Sequence, residues 1–280
     1  MQKIYLWSDE SIKTNAGRPS LNVCLCGHKK TAPAVLVIPG GGYGCVCEST
    51  EGTPVAGKFN ELGYHAFILD YRTAPSRWPA PQLDAMRAMK LIRANAEKWG
   101  VIADQVAACG FSAGAHLAGS LGILCGGLDA SNQDEADKYS HIPDVLILCY
   151  GVLSFASWSH AGTRQNLLGV ENEASAMEYS LPEKVTGQTP PAFLMHTICD
   201  QVVPFRNSVL FAEAMAAHHR PCELMLNYWG DHGMLLGNDT YDVSQWPALA
   251  CRFMAALQES RRDLAFKERY TNQYQARSNG

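Results

Sequence analysis

Residues 106–124 read VAACGFSAGAHLAGSLGIL, and this stretch decides the fold. Its opening, residues 106–109, is short and wholly apolar, as a strand buried on both faces must be. Residues 113–124 are small or apolar and read as a helix. Between them lies Gly110-Phe111-Ser112-Ala113-Gly114, which leaves no spare length, so the chain turns from strand to helix at the serine. A serine on so sharp a turn sits in a strained backbone conformation with its Oγ exposed. The flanking glycines leave room where strand and helix backbones nearly touch. The pattern G-x-S-x-G alone is weak, since composition yields it in roughly one chain in ten of this length. The strand before it and the helix behind it set it apart from a glycine-rich turn with an idle serine.

The same strand-then-helix rhythm extends in both directions. Residues 34–38 (AVLVI) form a second buried strand, and residues 54–62 carry Val55, Phe59 and Leu62 on one helical face, with Gly63 as a stop. Residues 64–69 predict a strand and residues 81–99 a long amphipathic helix with Leu83, Met86, Met89, Leu91 and Ile92 inward. Further strands are predicted at 144–150, 192–196 and 223–226, with helices near 207–218 and 246–258. Such alternation specifies an α/β fold: a mostly parallel central sheet with helices on both faces. Residues 3–26 are compatible with an antiparallel edge hairpin. No repeat or Gly/Ser linker divides residues 1–280, which read as a single domain. Residues 154–188 break the rhythm and predict a small cap insertion beside a site. Residues 261–280 are polar and charged and predict a frayed tail.

Composition narrows the function classes. Of 280 residues 47% are hydrophobic and 18% charged, enough for a large core and against disorder. A net charge of −4 gives no electrostatic footprint for nucleic acid or an anionic membrane. The longest apolar runs, such as residues 145–153, fall short of the ~18 residues of a membrane-spanning helix. The opening MQKIYLWSDES lacks the apolar core of an export signal, so a cytoplasmic location is expected. Ten cysteines in such a context read as reduced thiols. Cys24, Cys26, His28 and Cys45, Cys47 lack the paired spacing of a zinc site, so no metal is expected.

A nucleophilic serine needs donors for the oxyanion formed on the attacked carbonyl. The backbone N–H of Ala113, at the positive end of a helix, supplies one. A glycine-rich loop after an earlier strand supplies others, and Pro39-Gly40-Gly41-Gly42-Tyr43-Gly44 follows strand 34–38 directly. A dinucleotide-binding loop is disfavoured, since Cys45 stands where its third glycine belongs and no helix opens there. The serine also needs a base, and the base a carboxylate. His232, in the loop Gly230-Asp231-His232-Gly233, is the candidate base. His116 is expected to pack under the turn, and His196, His218 and His219 to be structural. Asp200, in the loop after strand 192–196, is the candidate carboxylate. Asp231 adjoins His232 in sequence, so its side chain points elsewhere. The order Ser112, Asp200, His232 is that of α/β-hydrolases.

Five stretches carry a resemblance: VIPGGGYG, FILDYRTAPSRWPAPQLDAMRAMKLIR, GFSAGAHLA, CDQVVPFRNSVLFAEAM and GDHGM. Spread over about residues 34–234, they resemble α/β-hydrolases of the acetyl esterase and acetylxylan esterase type, relatives of the hormone-sensitive-lipase-like carboxylesterases. The lipase-like branch often carries His-Gly-Gly-Gly, whereas Pro39 precedes the glycines here, which fits the sugar-esterase branch. The resemblance implies Ser112 as nucleophile, His232 as base, Asp200 as its partner, and Gly41, Gly42 and Ala113 as the oxyanion hole. It implies removal of small acyl groups, above all acetyl, from sugars or xylan-derived oligosaccharides without metal or organic cofactor. Feruloyl esterase, arylformamidase or general short-chain carboxylesterase activity fits the same triad. A non-catalytic ligand receptor is the alternative from another class, but it would be expected to have lost a triad member. Tyr43, Tyr71, Trp78, Trp158 and Trp229 are candidates to line the groove, Tyr43 narrowing its acyl side. Asp84 reads as an ion-pair or capping residue. The expected partner is an ester substrate, with no nucleic acid and no membrane, and a homo-oligomer is compatible with the sequence.

Overall fold

A computed structural model of the chain describes residues 2–15, 17–169, 173–237 and 242–260. An opening hairpin, β1 (Gln2–Tyr5) and β2 (Ser20–Cys24), leads into β3 (Ala32–Ile38), α1 (Thr53–Glu61) and β4 (His65–Asp70). Next come α2 (Ala80–Ala94), α3 (Ala96–Trp99), β5 (Val101–Phe111), α4 (Ala113–Ile123) and β6 (Val145–Cys149). An insertion holding α5 (Ala161–Leu168) and α6 (Glu173–Ala176) precedes β7 (Ala192–Thr197), α7 (Arg206–Ala217), β8 (Cys222–Asn227) and a last helix, α8, over residues 246–260.

The eight strands form one sheet in the order β1-β2-β4-β3-β5-β6-β7-β8. β1 and β2 pair antiparallel at one edge, and every pair from β4 to β8 is parallel. β3 continues to β4 on one side, whereas β5 continues to β6 on the other. The chain thus reverses direction across the sheet at the β3–β5 seam, where Ile38 lies opposite Gly110. Loops leaving the carboxyl ends of such a pair diverge and leave a crevice between them. The glycine loop and the Ser112 turn are those two loops.

The alternation of strand side chains divides the core. Leu36 and Ile38 of β3 with Val106 and Ala108 of β5 meet Met86, Met89 and Ile92 of α2, Leu117 and Leu121 of α4, and Phe211 and Met215 of α7. Val35 and Val37 with Cys109 and Phe111 meet Val55 and Phe59 of α1 and Trp246 and Phe253 of α8. Both faces are covered, which is why these strands are apolar throughout rather than alternating.

Three features depart from the sequence expectation. The helix foreseen over 81–99 is two: α2 stops at Asn95, whose amide side chain donates to the Leu91 carbonyl at 2.9 Å, and α3 ends on left-handed Gly100. β5 starts at Val101, because its first residue pairs with Ala32 before a register shift. The insertion, foreseen only as a small cap, holds besides α5 and α6 the 3₁₀ turns at Met177–Tyr179 and Pro182–Lys184, and Phe155 anchors it by stacking on His116. The opening hairpin appears as foreseen, while the tail at 261–280 lies outside the described residues. Among the described residues no helix is long and apolar enough to cross a membrane.

Candidate active site

Ser112 stands between β5 and α4 with φ 52° and ψ −118°, a region L-residues rarely occupy. Long-range hydrogen bonds hold it there: its N–H donates to the Cys149 carbonyl (3.0 Å) and its carbonyl accepts from Val152 (3.1 Å). The glycine requirement at the turn is steric. A Cβ on Gly110 would overlap the Gly114 carbonyl, and one on Gly114 would lie 2.6 Å from the Pro39 carbonyl oxygen and nearer still to that of Ile38. The strain aims Oγ at the crevice while leaving the residue 9% exposed.

Ser112 Oγ lies 3.0 Å from His232 Nε2, and His232 Nδ1 lies 2.8 Å from Asp200 Oδ2. These three side chains come from loops after β5, β7 and β8, 32 and 120 residues apart along the chain. Asp200 Oδ1 accepts the backbone N–H groups of Val202 (2.9 Å) and Val203 (2.8 Å). Burial alone would raise this carboxyl. Contacts from His196 and His232 and the Val203 N–H overrule it and hold Asp200 well below the usual carboxylate range. His196 is the weaker of those donors, because its Nε2 lies 2.9 Å from the Val203 carbonyl and 3.4 Å from Asp200. With Asp200 ionised, Nδ1 carries the ring proton, and Nε2 is free to accept from Ser112.

Beside the serine, the glycine loop is wound tightly on itself. The Gly41 carbonyl accepts the N–H groups of Gly44 (2.9 Å) and Cys45 (3.2 Å), with Gly41 at φ 121° and Gly42 at φ 62°. Among the described residues no acceptor is bonded to the Gly41 or Gly42 amide. Ala113, first in α4, has no preceding turn to accept its N–H. The Ala113 amide is thus unbonded at the N-terminus of α4, and the Gly41 and Gly42 amides are unbonded in the glycine loop, whose Gly40 packs so near the serine that a Cβ there would lie 2.9 Å from Ser112 Cβ. Gly40 differs, since its N–H donates to Glu51 Oε2 at 2.6 Å.

Two of the aromatic residues foreseen for a groove belong to the core instead. Tyr43 and Tyr71 are fully buried, edge to face at 6.2 Å, with their hydroxyls used by His116 Nδ1 (2.9 Å) and the Pro39 carbonyl (2.8 Å). Tyr43 cannot line the acyl side, because its left-handed backbone (φ 57°) turns the ring into the core. Trp78 packs on Tyr179 at a cavity of about 270 Å³ under the insertion. Trp158 carries the Arg206 guanidinium on its ring, and Trp229 is 70% exposed beside Tyr228. Asp84 is a buried ion-pair partner of Arg72 (2.8 Å) that also accepts from Trp7, not a cap. His116 is buried beneath the turn, and burial pushes its imidazole down to about 4.

Two residues at the site carry no sequence signal. His160 caps α5 by accepting the Thr163 N–H on Nδ1 (3.2 Å), which leaves the ring proton on Nε2. Its Cε1 lies 3.9 Å from where a Cβ of Gly42 would stand, and burial holds the imidazole below its ordinary range. Glu51 lies in a single π-helical turn (Glu48–Gly52) and is buried behind the glycine loop. Nothing in CESTEG distinguishes it from a solvated acid.

The chain is similar to known proteins in sequence and in fold. The family model described as BD-FAE matches residues 23–215. Endo-1,4-beta-xylanase B of Butyrivibrio fibrisolvens is 36% identical over 81% of this chain and 36% of its own length. An acetylxylan esterase of Xylanibacter ruminicola is 28% identical over 77% of this chain and 44% of its own. This chain thus spans less than half the length of either curated relative. A crystal structure of an acetyl ester-xyloside bifunctional hydrolase from Caldicellulosiruptor lactoaceticus superposes with a TM-score of 0.85 at 35% identity, covering 92% of this chain and 96% of that one.

Proposed function

Because the chain belongs to the BD-FAE family of α/β-hydrolases, we propose that it is a serine esterase removing small acyl groups, above all acetyl, from sugars or xylan-derived oligosaccharides. The observation that carries this reading is the relay Ser112–His232–Asp200, set beside a glycine loop and a helix N-terminus whose Gly41, Gly42 and Ala113 amides have no acceptor among the described residues. Ser112 Oγ attacks the ester carbonyl as His232 Nε2 takes its proton, and the oxyanion is received by Ala113, Gly41 and Gly42. The imidazolium then gives that proton to the departing sugar oxygen. Water, deprotonated in turn by His232, attacks the acyl-serine, and the imidazolium returns that proton to Ser112 Oγ as the acyl–oxygen bond breaks and the acid leaves. An acetylxylan esterase and an acetyl ester-xyloside hydrolase among the relatives support the choice of acetyl sugars. A xylanase is also a relative, but glycoside cleavage uses a facing pair of carboxylates, and the relay here is built for acyl transfer. Ten unpaired thiols are compatible with a cytoplasmic site of action.

The test is a panel of acetyl, butyryl, octanoyl and feruloyl esters beside acetylated xylo-oligosaccharides, with released acid measured directly. Acetyl substrates should lead in kcat/KM over butyryl and octanoyl esters, and Ser112→Ala should lose at least ~10³-fold. Faster turnover of octanoyl than acetyl esters would replace the sugar-ester reading by a lipase-like one. Near-native hydrolysis by Ser112→Ala would remove the mechanism altogether.

A further inference from the structure

Glu51 is 6% exposed, and the hydrolytic steps above make no use of it. Its Oε2 accepts the Gly40 N–H at 2.6 Å, the length of a charge-assisted bond, and its Oε1 accepts the Tyr150 hydroxyl at 3.0 Å. The Gly40 N–H can only donate, and the Tyr150 hydroxyl donates to Oε1, so both bonds are ones the ionised carboxylate accepts. Burial opposes ionisation and raises this carboxyl, while Gly40, Tyr150 and the charge of His232 pull the other way. Tyr150 itself is held at φ 37°, with its N–H on the Met195 carbonyl (2.7 Å), and its ring stands edge-on to the His232 imidazole at 5.1 Å. Also facing Glu51 are the Cys47 thiol, the Tyr71 hydroxyl and the Cys149 thiol, each held protonated by burial. Of these surroundings His232 alone can become positive.

We propose that Glu51 is a positioning residue of the hydrolytic site, whose carboxylate fastens the glycine loop through Gly40, steadies Tyr150 against His232, and favours the imidazolium formed when Ser112 is deprotonated. The turn that follows the glycine loop puts the carboxylate there: Glu51 N–H donates to the Cys47 carbonyl (2.9 Å) and Cys47 N–H to the Gly40 carbonyl (3.1 Å), while the π-type bond of the turn runs on from Thr53 N–H to the Glu48 carbonyl, so turn and loop are fastened to each other. This inference rests on the esterase reading and deepens it.

Glu51→Gln separates charge from geometry. The glutamine oxygen can still accept from Gly40 and its amide can donate to the Tyr150 oxygen, so the loop stays fastened and only the charge is lost. With 4-nitrophenyl acetate, kcat should fall about tenfold with KM within about twofold, the effect of one pH unit of imidazolium preference. Without the negative charge the imidazole stays neutral to lower pH, so the acid limb of the kcat/KM profile should move down by about 0.5–1 pH unit. Glu51→Asp keeps the charge but cannot span both donors; it should lower kcat and leave the limb in place. A folded Glu51→Gln enzyme with its acid limb at the wild-type position overturns the proposal. If the glutamine variant does not fold, the aspartate variant decides: an unmoved limb with lowered kcat supports the proposal, and a limb displaced downward overturns it. A wild-type protein that neither hydrolyses esters nor reacts with a fluorophosphonate at Ser112 would instead defeat the esterase reading.

Discussion

Asp200→Asn is expected to disable the site by reversing one ring proton, and the structure sets the size of the effect. Oδ1 of Asp200 receives two backbone N–H groups, from Val202 and Val203, and Oδ2 receives His232 Nδ1. An asparagine must keep its oxygen on the two backbone donors, since turning its NH₂ toward them would leave buried N–H groups unpaired at about 1–3 kcal/mol each. Its NH₂ therefore faces Nδ1, which must then accept, and the ring proton moves to Nε2, against Ser112 Oγ. Recovering the productive tautomer requires the amide flip, about 2–6 kcal/mol for two donors, and the imidazolium also loses its counter-charge. With 1.36 kcal/mol per tenfold, kcat should fall by the order of 10³–10⁴. Asp231 is exposed and its side chain takes no part in the relay. Asp231→Asn should therefore stay within about threefold of wild type. The assay is kcat and kcat/KM on a single acetyl ester between pH 6 and 9, with thermal melting to verify folding. A folded Asp200→Asn enzyme retaining a tenth of wild-type kcat, or one outperforming Asp231→Asn, would refute the tautomer argument.

Other outcomes follow from particular contacts. Ser112 bears its strain only as an L-residue, so Ser112→Gly should melt about 2–4 °C above Ser112→Ala, a gain of about 1 kcal/mol, both being inactive; equal melting temperatures would deny that the turn is strained. Gly114→Ala puts a methyl against two backbone carbonyls that cannot move apart, and at about 3 kcal/mol or more should lower the melting temperature by about 6–12 °C. Burial raises Asp70 from 3.8 to about 6. A carboxyl raised on folding contributes stability below its unfolded value and loses it as pH rises through the folded one, so Asp70→Asn should stabilise by up to about 3 kcal/mol at pH 7–8 and by almost nothing at pH 3. Urea titrations at the two pH values measure that difference, and equal gains at both would contradict it.

Much of the site could be read before any coordinates, for local reasons. A serine between a buried strand and a helix, with glycines at 110 and 114, admits one backbone path, because neighbours in sequence alone create the steric demand. The glycine loop after β3 has the same character, since its positive φ angles need residues without Cβ. His232 and Asp200 were found by position after predicted strands, and rejecting Asp231 needed only the shortness of one peptide step. What sequence could not convey is where a side chain points once distant elements close around it. Tyr43 and Tyr71 look like groove aromatics in one dimension, yet the β3–β4 seam and His116 turn them inward, where burial of ring and hydroxyl together is satisfied. Glu51 reads as a solvated acid until Tyr150, 99 residues away, supplies its second donor. His160 sits beside Gly42 only because the insertion folds back over the loop. Backbone conformation is dictated by bonded neighbours and is therefore written locally. Side-chain environment, and with it burial and charge state, belongs to contacts that exist only after the sheet has brought its loops to one edge.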